Sequence, residues 1–418
     1  MAIKTEIITI GDELLLGQTI DTNSAWMGQE LNSIGCSVVQ ISSIQDEPQS
    51  IIDALDLAQN RADLIITTGG LGPTVDDLTK ETLAKYFKTR LVNNAEVLRH
   101  IQELLGNRKV PMNQLNVDQA MLPEDCEILK NDAGTAAGML FKRGDKTIVS
   151  LPGVPYEMKS ICQNELFPWI QHNLKAEKNY FRMVMTTGYP ESVLAANIEK
   201  WESELPEHCS VAYLPSPGIV KLRVSAKGKK ESDLIADVNE QVNHLQKIIP
   251  DAIYSLENES MQETLHRILV NNNKWIGTLE SCTGGAMAQL ITSVPGSSGY
   301  FKGAIVSYSN ELKSSIAKVD VNLIEKHGAV SEQVVRELAR NALEVLSVDY
   351  AIASSGIAGP DGGTPEKPVG FVWLAVASKN QVRAHSFEFG NHRGRNIKRS
   401  SIAGLNMLRM LIEDEFQI

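Results

Sequence analysis

The sequence predicts an α/β protein built from a doubly wound parallel sheet, a small α+β module and a second α/β domain. Its 418 residues are more than one ordinary domain core accommodates. Short apolar strands alternate with amphipathic helices in the first and last thirds of the chain. Between them the order changes to strand, helix, strand, strand, helix, strand. These patterns divide the chain into residues 1–175, 176–254 and 255–418.

The first segment opens with strands that are apolar on both faces. Residues 7–10 and 64–67 are short runs of Ile, Leu and Thr, and residues 38–44 are also strand-like. Continuous apolar strands separated by helices are typical of a parallel sheet covered on both sides. Right-handed crossovers then place the strand-to-helix loops at one edge of the sheet, where ligands bind.

The middle and last segments have different patterns. In the middle segment, residues 219–226 alternate apolar and polar side chains, so one face of that strand is predicted to meet solvent.

In the last segment, a hairpin-like pair of strands and a closing helix follow three single strands. The strands are predicted at residues 275–279, 303–308, 350–353, 370–377 and 382–387.

Composition narrows the class of protein. A net charge of −11 argues against a general nucleic-acid binder, because such proteins need clustered Lys and Arg. The five cysteines are scattered without CxxC spacing, as expected of reduced thiols. The first residues run directly into a strand rather than a signal peptide, and no apolar run approaches the roughly 20 residues of a membrane span. We therefore expect a cytoplasmic protein without a membrane partner.

A glycine-rich loop follows the strand at residues 64–67. It contains Gly69, Gly70 and Gly72, and continues through Thr74 to the acids Asp76 and Asp77. Glycines let backbone N–H groups converge on an anion, and a following helix adds its positive dipole end. Adjacent acids would repel a phosphate unless a cation lay between them, so the loop predicts a metal-assisted phosphate site. The alternative is a capping box formed by Thr74 and Asp77.

Further polar residues are predicted at the same edge of the sheet. Asp12 and Glu13 follow the first strand, and Asn23 follows shortly after in Asp-Thr-Asn. Helix capping is the alternative for Asp21 and Asn23. The turn at residues 151–155 precedes Glu157 and could simply start a helix.

Three loops of the last segment are rich in hydroxyl groups and free backbone amides. They are predicted to form a binding cleft, although each alone could be an ordinary turn. Their candidate residues are Glu280, Ser281, Thr283, Gly284 and Gly285; Tyr308, Asn310 and Lys313; and Gly359, Gly362 and Gly363.

Amide hydrolysis would need a nucleophile, a proton carrier and hydrogen-bond donors for the oxyanion. No His in these motifs could activate Cys282, so we interpret that residue as packed. Ser281 is the better candidate, either attacking directly or ordering a water, with Lys313 or Tyr308 moving protons. A solvated helix position is the alternative for Lys313, because a basic Lys needs desolvation or a nearby cation.

The N-terminal strings Gly-Asp-Glu-Leu-Leu, Gly-Gly-Leu-Gly-Pro-Thr-x-Asp-Asp and Leu-Pro-Gly-Val-Pro-x-Glu resemble CinA-type proteins. That domain is similar to molybdopterin-binding proteins of the MogA and gephyrin class. The resemblance implies an ADP-ribose pyrophosphatase that requires a divalent metal of unspecified identity. Its pocket would be lined by Asp12, Glu13, Asn23, Gly70, Thr74, Asp76, Asp77 and Glu157, with the metal assigned to the four aspartate and glutamate residues at 12, 13, 76 and 77.

The C-terminal loops resemble the nicotinamide mononucleotide deamidase domain known as PncC, which implies a cofactor-free amidohydrolase. The glycines at 359, 362 and 363 would offer amides to the ribose phosphate. The sequence departs from the family where Gly-Asp-Arg is usual, so either Arg393 or Arg395 could reach the phosphate. The resemblance implies a bifunctional homodimeric enzyme of pyridine nucleotide salvage. The alternatives are an N-terminal domain that binds a molybdopterin-like ligand without turnover, or a competence-related scaffold.

Overall fold

The computed structural model describes residues 3–74, 77–174, 178–228 and 230–417. Contacts between residues divide the chain into two compact units. The first comprises Met1–Tyr180 with Lys227–Leu234, and the second comprises Phe181–Ala226 with Ile235–Ile418. Among the helices of the described residues, none has both the length and the apolar character of a membrane span.

The first segment alternates strands and helices as predicted. Its elements are β1 (Ile3–Ile10), α1 (Asp12–Leu15), α2 (Thr22–Ser33), β2 (Cys36–Ile44), α3 (Pro48–Gln59), β3 (Leu64–Thr68), α4 (Thr79–Tyr86), β4 (Leu91–Asn93), α5 (Ala95–Asn107), α6 (Gln114–Asp118), β5 (Met121–Pro123), β6 (Glu127–Leu129), β7 (Gly138–Arg143), β8 (Lys146–Leu151), α7 (Pro155–Ile161) and α8 (Phe167–Asn173).

The main sheet of this segment has the order β2-β1-β3-β8-β7-β6. Its first four strands are parallel, as predicted, whereas β7 and β6 are antiparallel to their neighbours. The sheet is therefore mixed rather than wholly parallel, because β7 and β8 form a hairpin. Ile7 and Ile8 of β1 belong to separate apolar cores, which confirms a sheet buried on both faces.

The middle module has the predicted order of strands and helices. Its elements are β9 (Lys178–Thr187), α9 (Glu191–Ser203), β10 (Cys209–Ser216), β11 (Ile219–Gly228), α10 (Glu231–Ile248) and β12 (Ile253–Ser255). The strands form one sheet in the order β10-β11-β9-β12. The β10–β11 and β9–β12 pairs are antiparallel, so the predicted α+β module is confirmed.

The last segment forms a third sheet. Its elements are α11 (Met261–Asn271), β13 (Ile276–Glu280), α12 (Ala286–Thr292), β14 (Phe301–Val306), α13 (Asn310–Ser315), α14 (Val321–His327), α15 (Glu332–Val345), β15 (Tyr350–Gly356), β16 (Phe371–Ser378), β17 (Val382–Glu388) and α16 (Arg393–Phe416). In the order β14-β13-β15-β16-β17, the first three strands are parallel and the predicted hairpin, β16–β17, is antiparallel. Helix α15 covers one face of this sheet, while α11, α12 and α16 cover the other.

Candidate active sites at the carboxyl edges of two sheets

The loops after β1, β3 and β8 converge at the carboxyl edge of the first sheet. The Gly69 N–H donates to the Leu151 carbonyl at 3.0 Å. Gly69 has a φ of +119°, and a Cβ there would lie 2.1 Å from the Ile10 carbonyl oxygen. Only glycine permits both the conformation and this approach. The fold therefore brings together the loops that the sequence singled out separately.

Asp21 and Asn23, both considered as helix caps, have different roles. Asp21 is the N-cap of α2 and accepts a hydrogen bond from the Ser24 N–H at 2.9 Å. Asn23 instead donates from Nδ2 to the Gly153 carbonyl at 2.7 Å. Its Oδ1 atom is buried and, among the described residues, has no hydrogen-bond partner. A buried acceptor without a partner is costly, so Asn23 Oδ1 is a candidate ligand-binding atom at this edge.

The hydrogen bonds of the glycine-rich loop differ from those expected of a helix cap. Helix α4 begins at Thr79, and its N-cap, Leu78, makes no side-chain cap. The Asp77 carboxylate instead accepts from the N–H groups of Gly72 and Thr74, at 2.8 and 3.0 Å, and from the Thr74 hydroxyl. The Thr74–Asp77 pairing of the capping-box alternative is therefore present, but it closes the loop and does not cap α4. A phosphate at these amides would have to replace the Asp77 carboxylate.

Three of the four acids predicted to hold a metal lie within the described residues. Asp12 and Glu13 are exposed on α1, and Asp76 lies outside the described residues. Among the described residues, no three His, Cys, Asp or Glu side chains form a cluster that could hold a metal ion. The structure does place another acid at the glycine loop, because a Cβ on Gly70 would lie 2.9 Å from Asp46 Oδ2. Carboxylate and amide oxygens are the type of ligand that a hard divalent cation prefers. The metal itself stays a prediction.

Glu157 contacts a loop that the sequence analysis overlooked. Its carboxylate accepts from Asn131 Nδ2 at 2.6 Å, and Asn131 Oδ1 accepts from the N–H groups of Ala133 and Gly134. A Cβ on Gly134 would lie 2.1 Å from the Glu157 carboxylate. Glu157 therefore holds the turn at residues 131–136. The short Asn-Asp-Ala-Gly-Thr string before β7 was the available sequence signal.

The second site lies where β13, β14 and β15 end. These strands are parallel, so their following loops share one edge of the sheet. The Ser281 N–H donates to the Ser354 carbonyl at 3.1 Å, and the Ser307 N–H donates to the Glu280 carbonyl at 2.8 Å. The predicted hydroxyl-rich loops are adjacent.

Ser281 and Lys313 meet at this edge. Lys313 Nζ lies 3.1 Å from Ser281 Oγ, 2.9 Å from the Ser307 carbonyl oxygen and 3.2 Å from the Tyr308 carbonyl oxygen. The Lys313 side chain is buried, which excludes the solvated-helix alternative. Burial lowers the pKa of Lys313. Lys313 is therefore a candidate general base, because its charged form is disfavoured and it lies next to a serine hydroxyl.

Cys282 has the properties of a packed residue. It is buried in a small apolar cluster with Ala358, Val372 and Leu374. Burial raises the pKa of Cys282 to about 12, so its thiolate form is scarce at neutral pH. The thiol therefore lacks the activation that a nucleophile needs.

Glu280 stabilises the loop of the site through hydrogen bonds and does not face a substrate. It is fully buried, and both carboxylate oxygens accept hydrogen bonds from neighbouring residues. Its donors are the hydroxyls of Thr278 and Thr283 and the N–H groups of Gly285, Met287 and Ala288. The carboxylate thus satisfies the first N–H groups of α12. This positioning role replaces the substrate contact predicted for Glu280.

Thr283 and the glycines beside it are held by the same network. Thr283 donates to Glu280 at 2.7 Å, so its oxygen is left to accept from the Ser354 hydroxyl at 2.8 Å. Ser354 in turn accepts from the Ser281 N–H at 3.3 Å. Gly284 and Gly285 have φ values of +64° and +97°, which form the turn into α12. Ser354, which the sequence analysis missed, therefore connects Glu280 and Thr283 to the Ser281 backbone.

Replacing Glu280 with glutamine is expected to destabilise the protein by about 1–3 kcal/mol. An amide cannot accept at both ends, so at least one buried N–H of α12 would face another donor. The matched control is Glu263→Gln, because Glu263 forms an exposed capping box with Ser260 in which glutamine is tolerated. Denaturant unfolding of both variants measures the difference. Equal stabilities would contradict the positioning role.

The outer part of the site contains Tyr308, Arg393 and the long glycine loop. Arg393 donates from Nη1 to the Gly359 carbonyl at 2.7 Å and from Nη2 to the Tyr308 hydroxyl at 3.2 Å. The backbone N–H of Arg395 donates to the His392 ring. Arg393 is therefore the arginine that the structure brings to Tyr308.

The remaining predicted residues, apart from Gly359, lie at the outer surface of this region. Gly362 and Gly363 are exposed in the glycine loop, and Asn310 is exposed at the first turn of α13. The loop is anchored where Lys367 Nζ donates to the Val330 carbonyl at 2.7 Å. Gly359, by contrast, is buried beside Val369.

Three family models match consecutive parts of the chain. They are described as "Probable molybdopterin binding domain" (residues 6–172), "Damage-inducible protein CinA KH domain" (181–255) and "CinA C-terminal domain" (258–412). The CinA-like protein of Cytophaga hutchinsonii is 41% identical over 412 residues, which cover 99% of each chain. The chain belongs to the CinA family. The CinA-like protein of Flavobacterium psychrophilum is 43% identical over 97% of each chain. The resemblance predicted from the sequence motifs is thereby confirmed.

A crystal structure is also similar to part of this CinA family member. The competence/damage inducible protein CihA from Agrobacterium tumefaciens shares 34% identity with it. The similarity covers 38% of this chain and 98% of that chain, with a TM-score of 0.36.

Proposed function

We propose that the C-terminal domain hydrolyses the carboxamide of nicotinamide mononucleotide to give nicotinate mononucleotide and ammonia. The observation that carries this proposal is the buried contact between Lys313 Nζ and Ser281 Oγ. Around Nζ lie one hydroxyl and two carbonyl oxygens, and among the described residues no carboxylate forms an ion pair with it. A lysine so placed can give up its proton more easily than one in water.

The proposed reaction uses Lys313 as the proton carrier. Neutral Lys313 takes the Ser281 proton as the hydroxyl oxygen attacks the carboxamide carbon, and then gives that proton to the departing ammonia. Water next cleaves the resulting ester and restores the Ser281 hydroxyl. A Ser281 that only orders the attacking water would use the same lysine. The two routes differ in whether a covalent acyl-enzyme forms.

Recognition of the nucleotide phosphate is assigned to the outer part of the site. Arg393 supplies the cation, and the exposed Gly362 and Gly363 leave their backbone amides accessible. Arginine suits a phosphate because its planar guanidinium donates two parallel hydrogen bonds. Arg393 contacts the Tyr308 hydroxyl, and the Tyr308 carbonyl oxygen lies 3.2 Å from Lys313 Nζ, which supports a shared site.

Incubation of the full-length protein with nicotinamide mononucleotide tests this proposal. We expect equal amounts of ammonia and nicotinate mononucleotide, measured by a coupled ammonia assay and by chromatography. A folded protein that releases neither product would overturn the assignment.

For the N-terminal domain we propose a metal-dependent ADP-ribose pyrophosphatase. Asn23 Oδ1, which has no hydrogen-bond partner among the described residues, supports a cation site at this edge of the sheet. A phosphate at the Gly72 and Thr74 amides would have to replace the Asp77 carboxylate that they now bind. A bound divalent cation would neutralise charge on the pyrophosphate. Turnover of ADP-ribose with added divalent metals separates this enzyme from a domain that binds a nucleotide without hydrolysing it.

Asp76→Asn is expected to abolish metal-dependent cleavage of ADP-ribose, because an amide is a poorer ligand than a carboxylate for a hard divalent ion. The melting temperature and the release of ammonia from nicotinamide mononucleotide should change little. Asp145→Asn is the control, since Asp145 lies in the β7–β8 turn at the other end of β8. Full activity of Asp76→Asn at limiting metal would show that Asp76 is not a ligand.

A further inference from the structure

A cavity of about 720 Å³, separate from the Ser281–Lys313 site, lies in the second unit of the chain. The end of β9 and the residues that follow it (187–191), and the ends of β10 and β11 with Gly218 of the turn between them, line it together with β17, Phe389 and α16. Neither Ser281 nor Lys313 contributes to its wall. Its volume falls in the range of pockets that hold small organic ligands, roughly 300–1,000 Å³.

The wall contributed by β17 and the residue after it is aromatic. The rings of Phe387 and Phe389 are stacked, with centroids 5.2 Å apart and planes 8° from parallel. The rings of His385 and Phe387 form a T-shaped pair with centroids 4.9 Å apart. Met407 and Met410 of α16 also line the cavity. Thioether side chains adapt to the shape of a ligand, and stacked rings favour a flat one.

The charges in the cavity favour a ligand with one acidic group. Arg399 Nη1 donates to the Phe389 carbonyl at 3.0 Å, which uses only one of its five N–H donors. Within the described part of the chain, no carboxylate forms an ion pair with Arg399. Glu191 and Glu388 also line the cavity but are exposed to solvent. Those two acids would repel a polyphosphate, whereas a single carboxylate can pair with Arg399.

We propose that this cavity binds a flat aromatic or heteroaromatic molecule that carries one carboxylate. The ring would lie among Phe387, Phe389 and the methionines, and the carboxylate would take the free donors of Arg399. The same helix, α16, begins with Arg393, which contacts Tyr308 and Gly359. A ligand here would therefore contact the helix that also reaches the proposed deamidase site. The binding proposal itself does not depend on that activity.

Calorimetry of the full-length protein with 2-naphthoate tests the site. We expect one saturable site per chain for 2-naphthoate. We expect binding at least about tenfold weaker for neutral 2-naphthamide, which lacks the charge, and for cyclohexanecarboxylate, which lacks the aromatic ring. Absence of saturable 2-naphthoate binding would overturn the proposal, and so would equal binding of all three compounds.

Variants identify where the probe binds. Arg399→Gln should weaken 2-naphthoate binding by about tenfold or more, and Met407→Trp should block it by filling the cavity. Lys398→Gln is the control, because it removes the same charge from an exposed position one residue away on α16. Circular-dichroism melting checks that each variant is folded.

Two results with these variants would refute the assignment. Unchanged binding in both folded variants, Arg399→Gln and Met407→Trp, would show that the probe occupies another site. A second copy of the chain could instead cover the cavity. In that case 2-naphthoate would fail to bind, and Met407→Trp would change the oligomeric state measured by sedimentation.

Discussion

Ser281→Ala is expected to lower kcat for the deamidation of nicotinamide mononucleotide by about 10² or more. The variant removes the hydroxyl that lies 3.1 Å from Lys313 Nζ, and with it either the nucleophile or the group that orders the attacking water. The KM should change less than kcat, because the phosphate contacts proposed for Arg393 remain. Steady-state kinetics of ammonia release measures both constants.

Cys282→Ala is the matched control for Ser281→Ala. The two residues are adjacent, both are buried, and each substitution removes one polar atom from the same turn. The thiol has a pKa raised to about 12 and packs in an apolar cluster, so its loss should affect kcat much less. If Cys282→Ala were the more damaging change, the cysteine would be the nucleophile and the proposed mechanism would be wrong.

Lys313→Met is expected to reduce deamidation by about 10² or more while the protein stays folded, because the proton carrier is lost. In the wild type, kcat/KM should rise with pH as Lys313 loses its proton. The midpoint should lie below the ordinary lysine pKa, since burial lowers the pKa of Lys313. Lys313→Met should lack this rise. Lys326→Met, at an exposed position on α14, should keep it.

The same substitution has a distinct signature in stability. Because the pKa of Lys313 is lower in the folded than in the unfolded protein, the unfolded chain binds the proton more tightly. Burying the charged lysine therefore destabilises the folded protein most at pH values below the folded pKa. This destabilisation decreases as the pH rises from the folded pKa towards the unfolded pKa. Lys313→Met removes the destabilisation at every pH, so the stability of the variant relative to wild type should decrease as the pH rises. An unchanged difference across this range would contradict a lowered pKa.

The sequence alone was sufficient to predict the α/β fold class and the loops that carry the candidate residues. Apolar periodicity distinguishes strands from helices because it depends only on residues close together in the chain. The glycine pairs at residues 69–70 and 284–285 could be recognised for the same reason, since a positive φ is a local requirement. The antiparallel strands β6 and β7 at one end of the first sheet were not predicted, because their pairing depends on the β7–β8 hairpin rather than on a local apolar pattern.

Only the tertiary structure decided which polar residues face a ligand and which support the fold. Glu280 belongs to a motif of candidate site residues, yet its carboxylate accepts hydrogen bonds from the N–H groups at the N-terminus of α12. Asp77 similarly pairs with its own loop rather than capping α4. Lys313 could have been a solvated helix residue, but the fold buries it against Ser281, 32 positions earlier in the chain. Burial and hydrogen bonding between distant residues set these roles, and neither can be deduced from spacing along the chain.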